Sequence, residues 1–238
     1  MILRKEVDFN VEDGPFLMGL HPHGVLGYSH LALFTSNHSN YTELFPKIKM
    51  HIGTLNVNLI APFLRETLLT RGFISVNKGS ITHTLNESKN NAVGIIIGGA
   101  KESLYAVPGR NTVVLKNRKG FVKLAIENGA SLVPVYSFGE NNLYKQVQNS
   151  TLKKIQDYLT KYLSFAPVIF YGRWGTPMPF KRSVVSCVGS PIPVKKNENP
   201  TKEEIDFYHQ EYIKGLTDLF NKYKNKFDPD RLEDLVIL

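Results

Sequence analysis

The stretch AVGIIIGGA (92–100) is an unbroken apolar run that ends in two glycines and an alanine, and it decides the fold class. A run without polar alternation is typical of a strand buried on both faces, as the inner strands of a parallel sheet are. Comparable runs on either side of it predict further strands. They are PFLMGL (15–20), FISV (73–76), TVVLK (112–116), SLVPVYSF (131–138), VIFYG (168–172) and RSVVSCVG (182–189).

Helical patterns fill most of the intervals between these strands. They are predicted over 27–37, 61–72, 80–91, 118–130 and 151–163, and a last helix begins near 201. Gly72 and Gly129 are the expected stops of two helices, and Ser80 is the expected N-cap of another. Thr201 and Glu204 form the T-x-x-E pattern of a capping box. The alternation predicts an α/β fold, a single layered domain over residues 1–238 with a largely parallel or mixed sheet flanked by helices.

The composition restricts the possible classes of protein. A net charge of +8 favours an anionic partner, such as a membrane surface, a phosphate-bearing substrate or a nucleic acid. Cys187 is the only cysteine, which excludes an intrachain disulfide and a cysteine-based zinc cluster. No run reaches the roughly 18 apolar residues that span a bilayer, and the charged start is unlike a signal peptide. We therefore expect any membrane contact to be peripheral.

Several common motifs are missing from the sequence. It contains no G-x-x-x-x-G-K-[ST] phosphate loop, no G-x-G-x-x-G after a strand, no G-x-S-x-G and no H-E-x-x-H. Basic residues are spread along the chain instead of being clustered with aromatic residues in a nucleic-acid module. Nucleotide folds, a serine nucleophile elbow and a nucleic-acid partner are therefore disfavoured.

The tetrapeptide HPHG (21–24) follows the first predicted apolar strand. Pro22 restricts one φ angle and Gly24 permits a turn that other residues resist, so His21 and His23 have restricted positions. Ligands of open α/β sheets bind outside the carboxyl ends of the strands. A histidine there suits a general base. The local pattern alone leaves metal ligation, a nucleic-acid contact and an ordinary turn open as well.

A second candidate segment is IIIGGAKESL (95–104), in which a buried strand runs into Gly98 and Gly99. Paired glycines let the backbone approach a ligand or leave amides free as oxyanion donors. Glu102, just beyond them, is placed to orient a histidine or to contact a hydroxyl substrate. A plain turn with a solvated acid explains the same residues.

A third segment runs from 117 to 144. Arg118 and Lys119 precede a predicted helix, where cations oppose the helix dipole and therefore suit an anionic ligand or a solvated basic face. Glu140 and Asn141 belong to a polar cluster directly after an apolar strand, which is the usual position of site loops.

Taken together these segments resemble the type-2 diacylglycerol acyltransferases and their monoacylglycerol and wax-alcohol relatives. The resemblance covers nearly the whole chain, with its motifs in family order. They are HPHG (21–24), GGAKESLYAVPG (98–109), RKGFVKLAIENGASLVPVYSFGENNLY (118–144), GRWG (172–175), VVSCVGSPIPV (184–194) and PTKEEIDFYHQEY (200–212).

The resemblance implies transfer of a fatty acyl group from acyl-CoA, as co-substrate, to the hydroxyl of a neutral lipid acceptor, most directly diacylglycerol. It implies His23 as the general base, Glu102 as its partner and His21 as a supporting residue. Arg118, Lys119 and Arg173 are expected to meet the CoA phosphates. The remaining substrate contacts are expected from Pro22, Gly24, Gly98, Gly99, Glu140 and Asn141.

The resemblance further implies a glycerolipid acyltransferase-like fold, no cofactor and no bound metal. It implies a place at the endoplasmic reticulum membrane or a lipid droplet, peripheral in this form. Family members usually carry an N-terminal hydrophobic hairpin before these motifs, and this sequence begins only about 20 residues before HPHG. Either the hairpin has been lost, or the sequence is part of a longer protein, or this member is peripheral. Monoacylglycerol or a fatty alcohol as acceptor, a non-catalytic lipid-binding member and a metal hydrolase using His21 and His23 are the alternatives. The oligomeric state is left open.

Overall fold

The computed structural model describes residues 1–35, 40–147 and 168–238. The strands are β1 Ile2–Lys5, β2 Phe16–His21, β3 Lys49–Thr54, β4 Phe73–Ser75, β5 Asn91–Ile95, β6 Asn111–Val113, β7 Ser131–Phe138, β8 Lys145–Gln146, β9 Phe170–Tyr171, β10 Val185–Val188 and β11 Leu235–Ile237. The α-helices are α1 Tyr28–Phe34, α2 Tyr41–Leu44, α3 Leu64–Thr70, α4 Lys78–Glu87, α5 Gly99–Ser103, α6 Gly120–Asn128 and α7 Lys202–Phe227.

Seven strands form one mixed sheet in the order β1-β10-β7-β2-β5-β3-β4. The strands β7, β2, β5, β3 and β4 are mutually parallel. The pair β10 and β1 runs in the opposite direction, because β10 pairs with β7 antiparallel and β1 pairs with β10 parallel. Two small sheets, β11-β6 and β8-β9, lie apart from it. The α/β fold with a largely parallel, mixed sheet is thus confirmed.

Alternate side chains of β2 supply two hydrophobic cores, one on each face of the sheet. Phe16, Met18 and Leu20 pack on one face with buried residues of α1, α2 and α3. Leu17 packs on the other face with α4, α6 and α7. Every residue of β2 is buried, which is why its sequence shows no polar alternation.

The helix α7 closes the second face. Thr201 caps it as predicted, since its side chain accepts a hydrogen bond from the Glu204 amide at 3.2 Å. Tyr212, Leu216 and Phe220 recur at four-residue spacing and are completely buried. This apolar stripe fixes the helix against the sheet beneath the carboxyl end of β2.

Some predicted boundaries are wrong. Asn77, and not Ser80, caps α4, because its side chain accepts the Ser80 amide and the helix begins at Lys78. The run 112–116 contributes a strand to a separate two-stranded sheet with β11, and 168–172 contributes one to the pair β8-β9. The strands β1, β3, β8 and β11 are not among the predicted ones. The helix predicted over 151–163 lies outside the described residues.

The parallel strands β2, β3, β4, β5 and β7 all end at the same edge of the sheet. The HPHG turn, the glycine pair of 98–99 and the polar cluster that begins at Glu140 follow β2, β5 and β7 respectively, so topology brings them to this carboxyl edge. In the described part of the chain no helix is both long and apolar enough to cross a bilayer.

Candidate active site

The HPHG turn begins at the last residue of β2. His21 is fully buried and the peptide bond to Pro22 is cis. Gly24 has φ +62°, a left-handed conformation that favours glycine. His23, between the two, is partly buried. The two histidines therefore differ in access, with His21 inside the core and His23 at its surface.

Glu102 holds the backbone of this turn. Its carboxylate is buried and accepts the main-chain N–H of His23 at 2.5 Å and that of Val114 at 2.7 Å. The two bonds tie together segments that are 79 and 12 residues away from it. Burial, as the dominant effect, raises the pKa of Glu102 from 4.5 to about 7. The expected partnership with His23 is thus made through the backbone and not through the imidazole ring.

Gly98 permits the close approach of this carboxylate. A Cβ atom at position 98 would overlap the Glu102 side chain. Gly99 has φ +58° and open space around its α-carbon. The first glycine is therefore required by the Glu102 contact, while the second allows the turn into α5.

A second buried carboxylate, Glu140, holds the other side of the turn. It accepts the main-chain N–H groups of Tyr28 at 3.0 Å and Ser29 at 2.9 Å and so caps α1, whose own N-cap Gly27 has no side chain to do so. A Cβ atom on Gly24 would lie 2.5 Å from one of its oxygens. Burial raises the pKa of Glu140 to about 7. Glu140 thus supports the turn where it packs against Gly24 and the start of α1.

The ring of His23 has a defined tautomer. Its Nδ1 lies 3.0 Å from the carbonyl oxygen of Gly24. A carbonyl only accepts, so Nδ1 donates and the neutral ring carries its lone pair on Nε2. No residue in the described ranges hydrogen-bonds to that Nε2. Burial lowers the pKa of His23 below 6.5 and favours this neutral form near pH 7.

His21 makes its hydrogen bond inside the core. Its Nε2 donates to the Tyr212 hydroxyl at 3.1 Å, and this hydroxyl donates to the Gly19 carbonyl at 3.2 Å. Burial lowers the pKa of His21 to about 3, which keeps the ring neutral. His21 therefore links the end of β2 to α7 and does not reach solvent.

Sequence reasoning missed a third histidine, His30. It is buried in α1 and its Nε2 donates to the carbonyl oxygen of Pro22 at 2.8 Å. Burial lowers its pKa to about 4. Its one sequence signal is a histidine within an otherwise apolar helical stretch seven residues after His23. His30 is thus a third buried side chain, besides Glu102 and Glu140, that bonds the backbone in or beside the turn.

The remaining predicted contacts are only partly brought together. Arg118 is exposed and lies close enough for its charge to lower the pKa of Glu102, against the larger effect of burial. Lys119 is the N-cap of α6 and its ammonium is 2.5 Å from Asp206. Asn141 donates to the Arg110 carbonyl at 2.8 Å, which makes it a support of the neighbouring loop.

Arg173 lies in another part of the structure, after β9. Its Nε donates to the Pro179 carbonyl at 3.0 Å, and its guanidinium lies 5.2 Å from the ring centroid of exposed Trp174. It makes no contact with the HPHG turn or with Glu102 among the described contacts.

An apolar groove of about 360 Å³ lies beside the end of β5. It runs between α4 and α6, and its rim carries lysines and one glutamate. The lining residues are Val76, Lys78, Ile81, Ile95, Gly120, Phe121, Lys123, Leu124 and Glu127. Within residues 1–35, 40–147 and 168–238, no group of three or more His, Cys, Asp or Glu side chains is arranged to hold a metal ion.

The chain is similar to diacylglycerol acyltransferases from several organisms. The family described as diacylglycerol acyltransferase matches residues 1–238. The protein named diacylglycerol O-acyltransferase 2 from Danio rerio is 44% identical over 233 residues, covering 93% of this chain and 64% of that protein. The Homo sapiens protein of the same name is 41% identical over 233 residues, covering 93% and 60%.

The same name belongs to a relative from Dictyostelium discoideum that is 42% identical over 219 residues, covering 88% of this chain and 66% of the relative. The chain thus spans less than two thirds of the length of these curated relatives. No solved structure gives a significant match.

Proposed function

The chain belongs to the diacylglycerol acyltransferase family. We propose that it transfers a fatty acyl group from acyl-CoA to diacylglycerol, giving triacylglycerol. Support comes from the match over residues 1–238 and from relatives named diacylglycerol O-acyltransferase 2 at 41 to 44% identity. The resemblance stated from the motifs of the sequence is confirmed at the level of the family.

The general base in this proposal is His23. The observation that carries it is the bond between Nδ1 and the Gly24 carbonyl, since it leaves the lone pair of Nε2 free. Nε2 takes the proton of the acceptor hydroxyl as its oxygen attacks the thioester carbonyl. The carbon–sulfur bond then breaks and the departing thiolate of CoA takes the proton from the imidazolium. No covalent acyl-enzyme is needed.

Glu102 is a positioning residue in this proposal. It fixes the main-chain N–H of His23 and so sets where the ring stands at the end of β2. The glycine pair at 98–99, beside Glu102, is proposed to supply amide donors to the oxyanion of the tetrahedral intermediate. His21 is proposed to support the turn from the core, because its only described hydrogen bond goes to Tyr212.

The two substrates require different surfaces. We assign the CoA phosphates mainly to Arg118, because Lys119 is already paired with Asp206 and Arg173 bonds its own loop. Part of the fatty chain fits the apolar groove beside β5, which borders the strand that leads to Gly98. A peripheral position at the endoplasmic reticulum membrane or a lipid droplet would supply the neutral lipid acceptor.

The test is an acyl-transfer assay with labelled acyl-CoA and separate diacylglycerol, monoacylglycerol and fatty-alcohol acceptors. We expect the highest rate with diacylglycerol, and a fall of at least about 100-fold for His23→Ala, within the range for loss of a general base. His83→Ala is the matched control, because His83 is exposed and makes no contact with the turn.

A different acceptor, a different base and a non-catalytic role each have their own result in this assay. Transfer to monoacylglycerol or a fatty alcohol alone would replace the acceptor, and a folded His23→Ala variant with full activity would remove the assignment of the base. No transfer to any acceptor by the unmodified chain would favour a non-catalytic lipid-binding role.

A further inference from the structure

The segment that follows β3 exposes a concentration of large apolar side chains. Five of them lie within ten residues, and we call these the 55–64 patch. Its members are Leu55 at 44% exposure, Val57 at 64%, Ile60 at 76%, Phe63 at 88% and Leu64 at 44%. Single exposed apolar residues are ordinary, whereas a contiguous group marks a surface that contacts something.

The backbone holds the most exposed member outward. Phe63 has φ +65° and ψ −41°, a conformation that is costly for an aromatic residue. It stands directly before α3, and its carbonyl accepts the Thr67 amide at 3.2 Å and the Thr67 hydroxyl at 2.9 Å. These bonds anchor the backbone while the phenyl ring makes no core contact. A strained backbone that presents an exposed ring is expected to have a use outside the core.

The 55–64 patch lies at the same edge of the sheet as the candidate active site. It begins immediately after Thr54, the last residue of β3, whereas His23 stands two residues after the end of β2. The strands β2, β5 and β3 are parallel neighbours, so both loops emerge at their carboxyl ends. A surface against which the patch docks would therefore face the site.

The charges around the patch are mostly positive. Residues 45–80 contain five Lys or Arg and one acidic residue, Glu66. Arg65 pairs with Glu66 and Lys78 pairs with Glu127, so Lys47, Lys49 and Arg71 carry the remaining positive charge. The exposed aromatic Phe207 of α7 has the opposite surroundings, because Glu203, Asp206 and Glu211 are its near neighbours along the helix. An apolar tip with a basic surround is the combination that enters the interface of an anionic lipid surface.

We propose that the 55–64 patch inserts into the surface of an anionic phospholipid bilayer and turns the carboxyl edge of the sheet toward it. The apolar side chains enter the boundary between headgroups and acyl chains, and the basic residues meet the phosphates and carboxylates of the headgroups. The proposed docking rests on the exposure of the patch, the strained backbone at Phe63 and the positive charge of the surrounding residues. Only its consequence, that acceptor lipid reaches His23 from the bilayer, rests on the proposed function.

The first experiment is flotation of the whole chain with vesicles of phosphatidylcholine containing about 30% phosphatidylserine. We expect the double variant Ile60→Ser/Phe63→Ser to bind at least about tenfold more weakly, from the loss of two inserted side chains. The matched control is Phe207→Ser/Leu232→Ser, which removes two exposed apolar residues elsewhere, at 60% and 77% exposure. Equal binding by the patch variant and the unmodified chain would overturn the proposal.

A second measurement does not depend on a loss of vesicle binding. Trp174 is the only tryptophan, so the variant Phe63→Trp/Trp174→Phe carries a single reporter in the patch. On addition of the same vesicles we expect its emission to shift to the blue and to be quenched by brominated acyl chains. An emission that stays at its aqueous position while the protein floats with the vesicles would show docking through another surface and would refute the patch.

Self-association is the competing explanation for an exposed apolar patch. If light scattering shows a dimer that Ile60→Ser/Phe63→Ser converts to a monomer, the patch is an interface between copies and the lipid proposal is wrong. The vesicles contain no acceptor, so binding is scored independently of acyl transfer. An inactive chain that still docks through the patch would refute the proposed function alone.

Discussion

Two loops at the carboxyl edge of the sheet depart from the usual rule that apolar side chains are buried and polar ones are exposed. The loop after β2 is held by buried polar groups of other segments, because Glu102 of α5, Glu140 after β7 and His30 of α1 lie inside and bond the backbone in and around HPHG. The loop after β3 exposes apolar groups, with Phe63 at 88% exposure. Buried carboxylates and exposed aromatics both carry a cost in the isolated chain.

The two loops hold side chains of two kinds, those that position the backbone and those that face a docking partner. Side chains around HPHG serve the fold and the site together, because they satisfy buried N–H and C=O groups. The most exposed side chain of the 55–64 patch, that of Phe63, serves neither, because it lies almost wholly in solvent. Substitutions of the side chains around HPHG should therefore lower stability and activity together, whereas substitutions in the patch should lower vesicle binding without lowering stability.

The largest expected effect is that of Glu102→Ala. It leaves the amides of His23 and Val114 without an acceptor inside the protein, which we expect to lower the free energy of unfolding by roughly 3 kcal/mol. Acyl transfer should fall as well, because the position of the His23 ring is no longer fixed. Urea unfolding and the acyl-transfer assay measure the two effects.

The control for this prediction is Glu66→Ala in the region of the patch, where the carboxylate is exposed and lies 3.6 Å from Arg65. It should change the free energy of unfolding little. Equal losses for the two variants would show that the Glu102 bonds do not hold the turn.

The second prediction concerns the pH dependence of the same carboxyl. The pKa of Glu102 is about 7 in the folded chain instead of 4.5, so the folded state binds more protons between these pH values. Its contribution to stability is present below pH 4.5 and is lost as the pH rises toward 7. Glu102→Gln removes this loss, so its stability relative to the unmodified chain should rise with pH by up to about 1.4 kcal/mol per pH unit.

Taking the difference between two proteins removes the opposing effect of the buried histidines. His21, with its pKa lowered to about 3, contributes stability that is present above pH 6.5 and is lost as the pH falls toward 3. Chemical denaturation at several pH values between 4.5 and 7 measures the difference. A difference that stays constant over that range would contradict the shifted pKa.

The third prediction is a smaller loss from Tyr212→Phe. The change removes the acceptor of His21 Nε2 and the donor to the Gly19 carbonyl, both of which are buried. We expect a loss of about 1 to 2 kcal/mol in the free energy of unfolding and a moderate fall in kcat with little change in KM. Tyr223→Phe, on the partly exposed end of the same helix, is the control. Unchanged stability would show that α7 does not support the end of β2 through this hydroxyl.

The same contrast explains how much the sequence predicts. The strands β5 and β7 and the Gly129 stop of α6 follow from local patterns, because an unbroken apolar run and a left-handed glycine need no distant partner. The prediction of an N-cap at Ser80 is wrong because the side chain of Asn77, three residues earlier, accepts the Ser80 amide. The strands β1 and β3 carry charged or partly exposed residues and have no apolar run to reveal them.

For the candidate site, HPHG and Glu102 are recognisable in the sequence, but their geometry is not. The bond from the His23 amide to Glu102 spans 79 residues, and Glu140 caps α1 from 111 and 112 residues away. Such contacts depend on which strands end at one edge, and so on the topology of the whole sheet. Expected substrate contacts such as Lys119 and Asn141 have structural partners for the same reason.

The smallest expected effect on stability is that of Phe63→Gly. Glycine adopts positive φ without the cost that an aromatic residue incurs, and the phenyl ring contributes no core contact. We therefore expect the free energy of unfolding to stay the same or to rise by about 0.5 to 1 kcal/mol, while vesicle binding falls. Thermal unfolding and vesicle flotation of one preparation give both values. A stability loss of the size expected for Glu102→Ala would place Phe63 in the fold and remove the difference between the two loops. A stabilised chain that binds vesicles more weakly would show that this ring is kept in a costly conformation for the lipid surface.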